Sequence, residues 1–304
     1  MGVFHTICTF LAGIGKRFHD SGLRDVCMES GVIADGSAAG FLKGRNYNRV
    51  IRFHKIMFEA LNRLAWNGFQ RRIEEHHKAK KPRVNELIKG LKQLIDSSCD
   101  PEFKDVMRSH LFQEVSQLFL SYSHHLRHSN GKLSKLWMLY VNMIEELLGL
   151  IRAIREGSWS MELSSLRGIV PWCLVYDNIN CARYLSEMSH LPEGHPDAFK
   201  YVSSGGLSVQ LSCSNPFRRV PVDQTCEETA NKDTQTSGGT KGFSLKPNTV
   251  SKYYLVAEYR SIFLRQLKDM LHINSSSPKH NDLHRSRITR DETDVKFHYF
   301  KILG

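Results

Sequence analysis

The 304-residue sequence has no run of 18 uncharged apolar residues. Its richest stretch, Leu136 to Ile151, is broken by Glu145 and Glu146, which argues against a membrane-spanning helix. No Lys or Arg precedes the apolar start of the chain and His5 interrupts it, so a secretory signal is not expected. Cys-x-x-Cys is missing. The seven cysteines are odd in number and scattered from Cys8 to Cys226, the usage of a reducing, intracellular compartment without a zinc ribbon or a disulfide framework. Also missing are His-Glu-x-x-His, the phosphate-binding Gly-x-x-x-x-Gly-Lys-Ser/Thr, Gly-x-Ser-x-Gly and the kinase set, and with them the familiar signatures of zinc hydrolases, P-loop proteins, serine hydrolases and kinases. His124 and His128 sit one helical turn apart, too few ligands for a metal. No metal ligand and no cofactor is assigned.

What is abundant is positive charge. The chain carries 42 Lys or Arg against 31 Asp or Glu, a net +11, with 41% apolar and 24% charged residues. That composition is globular and excludes a wholly disordered or collagen-like chain. The excess is not spread evenly. Between Lys43 and Arg83 lie twelve Lys or Arg and only Glu59, Glu74 and Glu75, a net +9.

Apolar periodicity predicts a mostly α-helical, multi-helix bundle. Val50, Phe53, Met57, Leu61 and Leu64 share one helical face. Val84 to Ile95 form a second stripe, and Asp100-Pro101-Glu102 is a helix start with a capping acid and proline in the first turn. The stripe from Leu133 to Ile154 is the most apolar and predicts the central core helix, ended by Gly157. A following helix is expected to stop before Pro171, and Asp177 to open the next one as an acidic cap. Leu207, Val209 and Leu211 alternate within 206–212, so at most a short strand or hairpin is expected there. The organisation read from this is a helical domain over 1–200 containing the basic helix. A short strand, a loop and a last helix over 201–272 pack on it, and 273–304 form a polar, mobile tail.

Three segments carry candidate chemistry. In the basic segment, Arg45, Arg49, Arg52, Lys55, Arg63, Arg71, Arg72, Lys78, Lys80, Lys81 and Arg83 form an electrostatic footprint suited to phosphates. A solvated helix face explains the same residues more simply. Lys78 to Arg83 also fits a short nuclear-import signal. In the second segment, Asp223 and Glu227 lie one turn apart beside Glu228, an arrangement able to hold a divalent cation. A helix cap at Asp223 or Thr225 is nearly as good an explanation. In the third, Val170 to Arg183, aromatic packing around Pro171 and an Asp177–Arg183 pair are expected.

Gly31 to Ser37, Tyr47 to Lys55, Gly149 to Gly157, Pro171-Trp172-Cys173 with Tyr176-Asp177, and Pro221 to Leu245 together resemble an uncharacterised family present in many copies in invertebrate genomes and linked to mobile elements. The resemblance implies that this chain corresponds to the C-terminal part of a longer protein. On that footing Met1 to Thr6, which fits an N-myristoylation pattern, matches it by accident. By analogy with transposases whose RNase-H-like core is interrupted by a helical insertion, Glu227 or Glu228 is placed as the last metal-binding acid. Cys181 stands where the family shows an aromatic residue, and the chain between Arg183 and Met188 is short by about one helical turn.

The expectation drawn is a nuclear or cytoplasmic, mobile-element-derived helical protein, non-catalytic by itself, that binds nucleic acid through its basic helix. One alternative is a magnesium-dependent transposase or nuclease core built on Asp223, Glu227 and Glu228. Another is a helical module that binds a protein partner, its own missing N-terminal half among the candidates.

Overall fold

In the computed structural model, residues 2–29, 40–97, 100–128, 131–228 and 285–303 are described, together with isolated positions between 248 and 271. The chain runs through α1 (Val3–Phe18), α2 (Leu23–Glu29), α3 (Tyr47–His76), α4 (Lys81–Ser97), α5 (Asp100–Arg108), α6 (His110–His128), α7 (Lys132–Glu156), α8 (Trp159–Val175), α9 (Ile179–Gly194) and α10 (Pro196–Tyr201). A hairpin follows, β1 (Ser208–Gln210) and β2 (Arg219–Pro221), then α11 (Val222–Cys226) and finally α12 (Arg285–Leu303). The fold is mostly α. The antiparallel hairpin sets Ser208 against Pro221 and Gln210 against Arg219.

The apolar stripe of α7 occupies the centre, burying Tyr140, Met143, Ile144, Leu147 and Leu150 almost completely against α8, α6, α3 and α1. Gly157, at φ 66°, ends the helix in a left-handed conformation that a side chain would strain. Ile7, Phe10, Leu11 and Ile14 of α1 enter the same core. A second apolar cluster joins Phe69 and Ile73 of α3 to Val84 and Leu87 of α4 and Val115 of α6. One polar pair lies inside the main core: His54 and Tyr140 share a 2.6 Å hydrogen bond, and burial pushes the His54 imidazole down to about 3, so it is neutral.

The turn before α3 lies directly on α1. A Cβ at Gly15 would sit 2.1 Å from the Leu42 carbonyl oxygen, and one at Gly44, whose φ is 70°, 2.5 Å from the Cys8 carbonyl oxygen. Gly15→Ala is therefore expected to lower stability by about 1–3 kcal/mol, because neither backbone can retreat without losing core packing. A urea midpoint unchanged from wild type would contradict this contact.

Two local expectations give way. Pro171 falls inside α8, which continues for another turn to Val175. Proline removes one intrahelical donor there, and the helix closes only at Asp177, whose φ of 57° is left-handed. Asp177 thus ends α8 instead of capping α9, and it forms no ion pair with Arg183. Residues 285–303, expected within a polar tail, form α12 packed along α3. The loop and last helix expected within 201–272 fall largely outside the described residues.

Candidate nucleic-acid interface and acidic corner

Arg49, Arg52, Arg63 and Arg71 are spaced by close to whole helical turns and lie along one side of α3. α12 crosses the middle of that side. Val295 buries against Ile56 and Ala60, and the buried His298 lies against the Phe53 ring. The acids of α12 then meet the arginines. Arg52 donates from Nε and Nη2 to Asp291 Oδ1 at 2.9 and 2.6 Å, and from Nη2 to Asp294 Oδ2 at 2.5 Å. Arg63 grips both carboxylate oxygens of Glu292 at 2.8 and 2.9 Å and Glu59 at 2.9 Å. Burial works against the Arg52 charge, and the two aspartates more than offset it, so its guanidinium is held above its ordinary range. The Arg63 hydrogen bonds hold the Glu292 carboxyl below its usual range.

The rest of the basic segment divides in two. Lys43, Arg45 and Arg49 are exposed at the start of α3, and Lys55 is exposed further along it. At the other end, Arg71 and Lys78 are exposed, Arg72 lies 6.0 Å over the Tyr122 ring, and Lys80 is half-buried in a 3-10 turn. Lys81 pairs with Glu74 at 2.9 Å and Arg83 with Glu114 at 2.8 Å. The eleven basic residues singled out by composition therefore serve several purposes: some fasten helices together, and the exposed cations gather at the two ends of α3.

The acidic corner is built differently. α1 begins at Gly2 with no side-chain cap of its own. Asp223 of α11 supplies one, accepting from the backbone N–H of Phe4 and of His5, both at 3.2 Å. A carboxylate at that position also complements the positive end of the α1 dipole. Only glycine fits at position 2, since a Cβ would lie 2.3 Å from the Asp223 carboxyl. His5 reaches Asp223 through Nδ1 at 3.0 Å and Glu227 through Nε2 at 3.3 Å. Glu228 accepts from Gln224 at 2.8 Å. Asp223 caps α1 and not its own helix, where the sequence suggested a cap: α11 follows Pro221 with no side-chain cap.

A carboxylate that sequence reading missed lies close by. Glu162, in the first turn of α8, is 8% exposed, and its Oε1 has no hydrogen-bond partner. Burial, and then the charge of Asp223, push its carboxyl up to about 7. The same two influences, in the same order, raise the Cys8 thiol to about 11, with Glu227 adding to them. Its place on the core-facing side of α8 was the only signal, and an acid there reads as an ordinary first-turn residue. Among the described residues no group of three or more His, Cys, Asp or Glu is disposed to hold a metal ion. Cys181 is buried against Cys173, and no disulfide joins them.

No described helix is long and apolar enough to cross a membrane. No curated protein and no solved structure matches the chain. A family model does match, over residues 1–301, and it is described as a domain of unknown function, DUF8702. The chain belongs to that uncharacterised family.

Proposed function

We propose that the protein binds nucleic acid at the basic corner where α3 ends, through Arg71, Arg72, Lys78 and Lys80, with the exposed Arg45 and Arg49 as a separate contact at the other end of the helix. The observation that carries this reading is the concentration of twelve Lys or Arg between 43 and 83, combined with where the intramolecular acids of α12 stop along α3. Binding of this kind is made to phosphates, weakly dependent on sequence and strongly dependent on salt. The resemblance to a mobile-element-linked family supports it, since such proteins handle DNA. Arg52 and Arg63 belong to the fold in this reading.

Reversing Arg71, Arg72 and Lys78 to Glu is expected to weaken duplex binding at least about tenfold. The slope of log affinity against log salt should fall by about 2–3, one increment for each lost phosphate contact. Arg167→Glu, at an exposed residue of α8, is a single charge reversal away from the corner and should bind nearly as wild type. Fluorescence anisotropy between 50 and 200 mM salt, values within the range where such slopes are read, measures both quantities. Equal affinity and slope in the triple variant would remove the basic corner as the site.

A further inference from the structure

Where α3, α6 and α12 meet, an open groove of about 590 Å³ runs beside the Arg63–Glu292 pair. Its size falls within the range of small-molecule sites, roughly 300–1,000 Å³. Each helix contributes one aromatic ring: Trp66 from α3, Phe119 from α6 and Tyr299 from α12. The Trp66 and Phe119 ring centres are 5.4 Å apart, so the groove is walled by π surfaces already braced against one another.

The polar groups between those rings are amides. The Asn62 amide N–H₂ donates to the Phe58 carbonyl at 2.8 Å, which fixes its orientation because a carbonyl only accepts. The Asn67 amide donates to the Tyr299 hydroxyl. Both side chains keep an Oδ1 acceptor with no partner among the described residues. The charged groups are balanced: Arg63 is matched by Glu59 and Glu292, and Lys296 stands at the rim 4.0 Å from Glu292. A groove so neutralised does not attract a bare phosphate. It suits a flat, neutral heterocycle that offers N–H donors to amide oxygens and a face to stack.

We infer that this groove takes an unstacked base of single-stranded nucleic acid, with Lys296, whose side chain is 65% exposed, meeting the adjoining phosphate. The inference deepens the reading of the basic corner and rests on it for the polymer, while a free nucleoside tests the groove alone.

Tryptophan emission reports the site, Trp66 being isolated by comparison with Trp66→Phe among the four tryptophans. Adenosine, which has no phosphate, is expected to quench Trp66 saturably. Single-stranded oligo(dA) should do so at least about tenfold more tightly, and duplex DNA of equal length should not. Asn62→Phe fills the groove and should weaken both ligands about tenfold or more. If that variant folds poorly, Lys296→Glu provides a second arm on an exposed residue, weakening oligo(dA) about tenfold and leaving adenosine unchanged. Quenching by adenosine that survives in the variant reversed at Arg71, Arg72 and Lys78 keeps the groove and isolates any fault in the basic corner. Oligonucleotide binding without a Trp66 response removes the groove and leaves the corner. Absence of saturable quenching by adenosine and oligo(dA), or quenching unaltered by a folded Asn62→Phe, overturns the proposal.

Discussion

Glu162→Gln is expected to make the protein more stable above pH 7, by up to about 3 kcal/mol, and to flatten its loss of stability between mildly acidic and neutral pH. The Glu162 carboxyl titrates near 4.5 in an unfolded chain and near 7 when folded. Between those values the folded state holds a proton that the unfolded state has released. Stability therefore falls as pH rises, by about 1.4 kcal/mol per pH unit, with the loss complete above the folded value. The sign is opposite to that of a carboxylate stabilised by an arginine. Glu292, held low by Arg63, contributes stability that is present above its unfolded value and lost as pH falls through its folded one. Glutamine keeps the shape of Glu162 and cannot ionise. Urea unfolding at pH 5, 6, 7 and 8 should show the two proteins diverging toward alkaline pH, and parallel curves would mean that Glu162 is solvated in a way its burial denies.

Arg52→Glu is expected to strip α12 from α3. The substitution places a carboxylate where Asp291 and Asp294 already converge, on a side chain only 19% exposed, and with Asp291 itself 38% exposed solvent screening holds the cost to about 1–3 kcal/mol. Among the described residues, the apolar contact beneath joins Val295 to Ile56 and Ala60, with Tyr299 at its edge and His298 against Phe53. It does not offset three repelling carboxylates. Hydrogen exchange over 285–303 should rise sharply while exchange in α7 changes little, because among the described residues the main apolar cluster includes no side chain of α12 and is reached from it where His298 meets Phe53. Reversing Asp291 and Asp294 to Arg in the same chain should restore protection. Arg52→Met, which removes the charge without repulsion, should lie between the two. Retained protection in Arg52→Glu would show that the apolar contact alone holds the helix.

These expectations mark where the sequence was readable and where it was not. α7 was legible because Leu133 to Ile154 repeat at helical spacing and Gly157 ends them, and both signals are local. The short pairing at 208–210 followed from strict alternation. Pro171 misled because a proline near the end of a helix removes a single donor, which α8 tolerates by continuing one turn to Asp177. α12 was illegible for a different reason. Among its described side chains only Val295 and His298 are buried, and the ion pairs that tie it to α3 reach arginines more than 220 residues upstream, which no periodicity displays. For the same reason the charge surplus of 43–83, correctly located by composition, gave no hint that part of it is spent inside the molecule. At the acidic corner, the spacing of Asp223 and Glu227 placed both on one side of a short helix. That His5 and the first backbone amides of α1 would be their partners depends on a contact across 218 positions.

That last contact bears on the order in which the chain can fold during synthesis. α1 leaves the ribosome with its opening amides uncapped, because the carboxylate that completes it is 219 residues further along. At a synthesis rate on the order of ten residues per second, that is a wait of about twenty seconds. Until then α1 has apolar residues to bury and a frayed beginning, so docking of the later-made corner is the step that locks it in place.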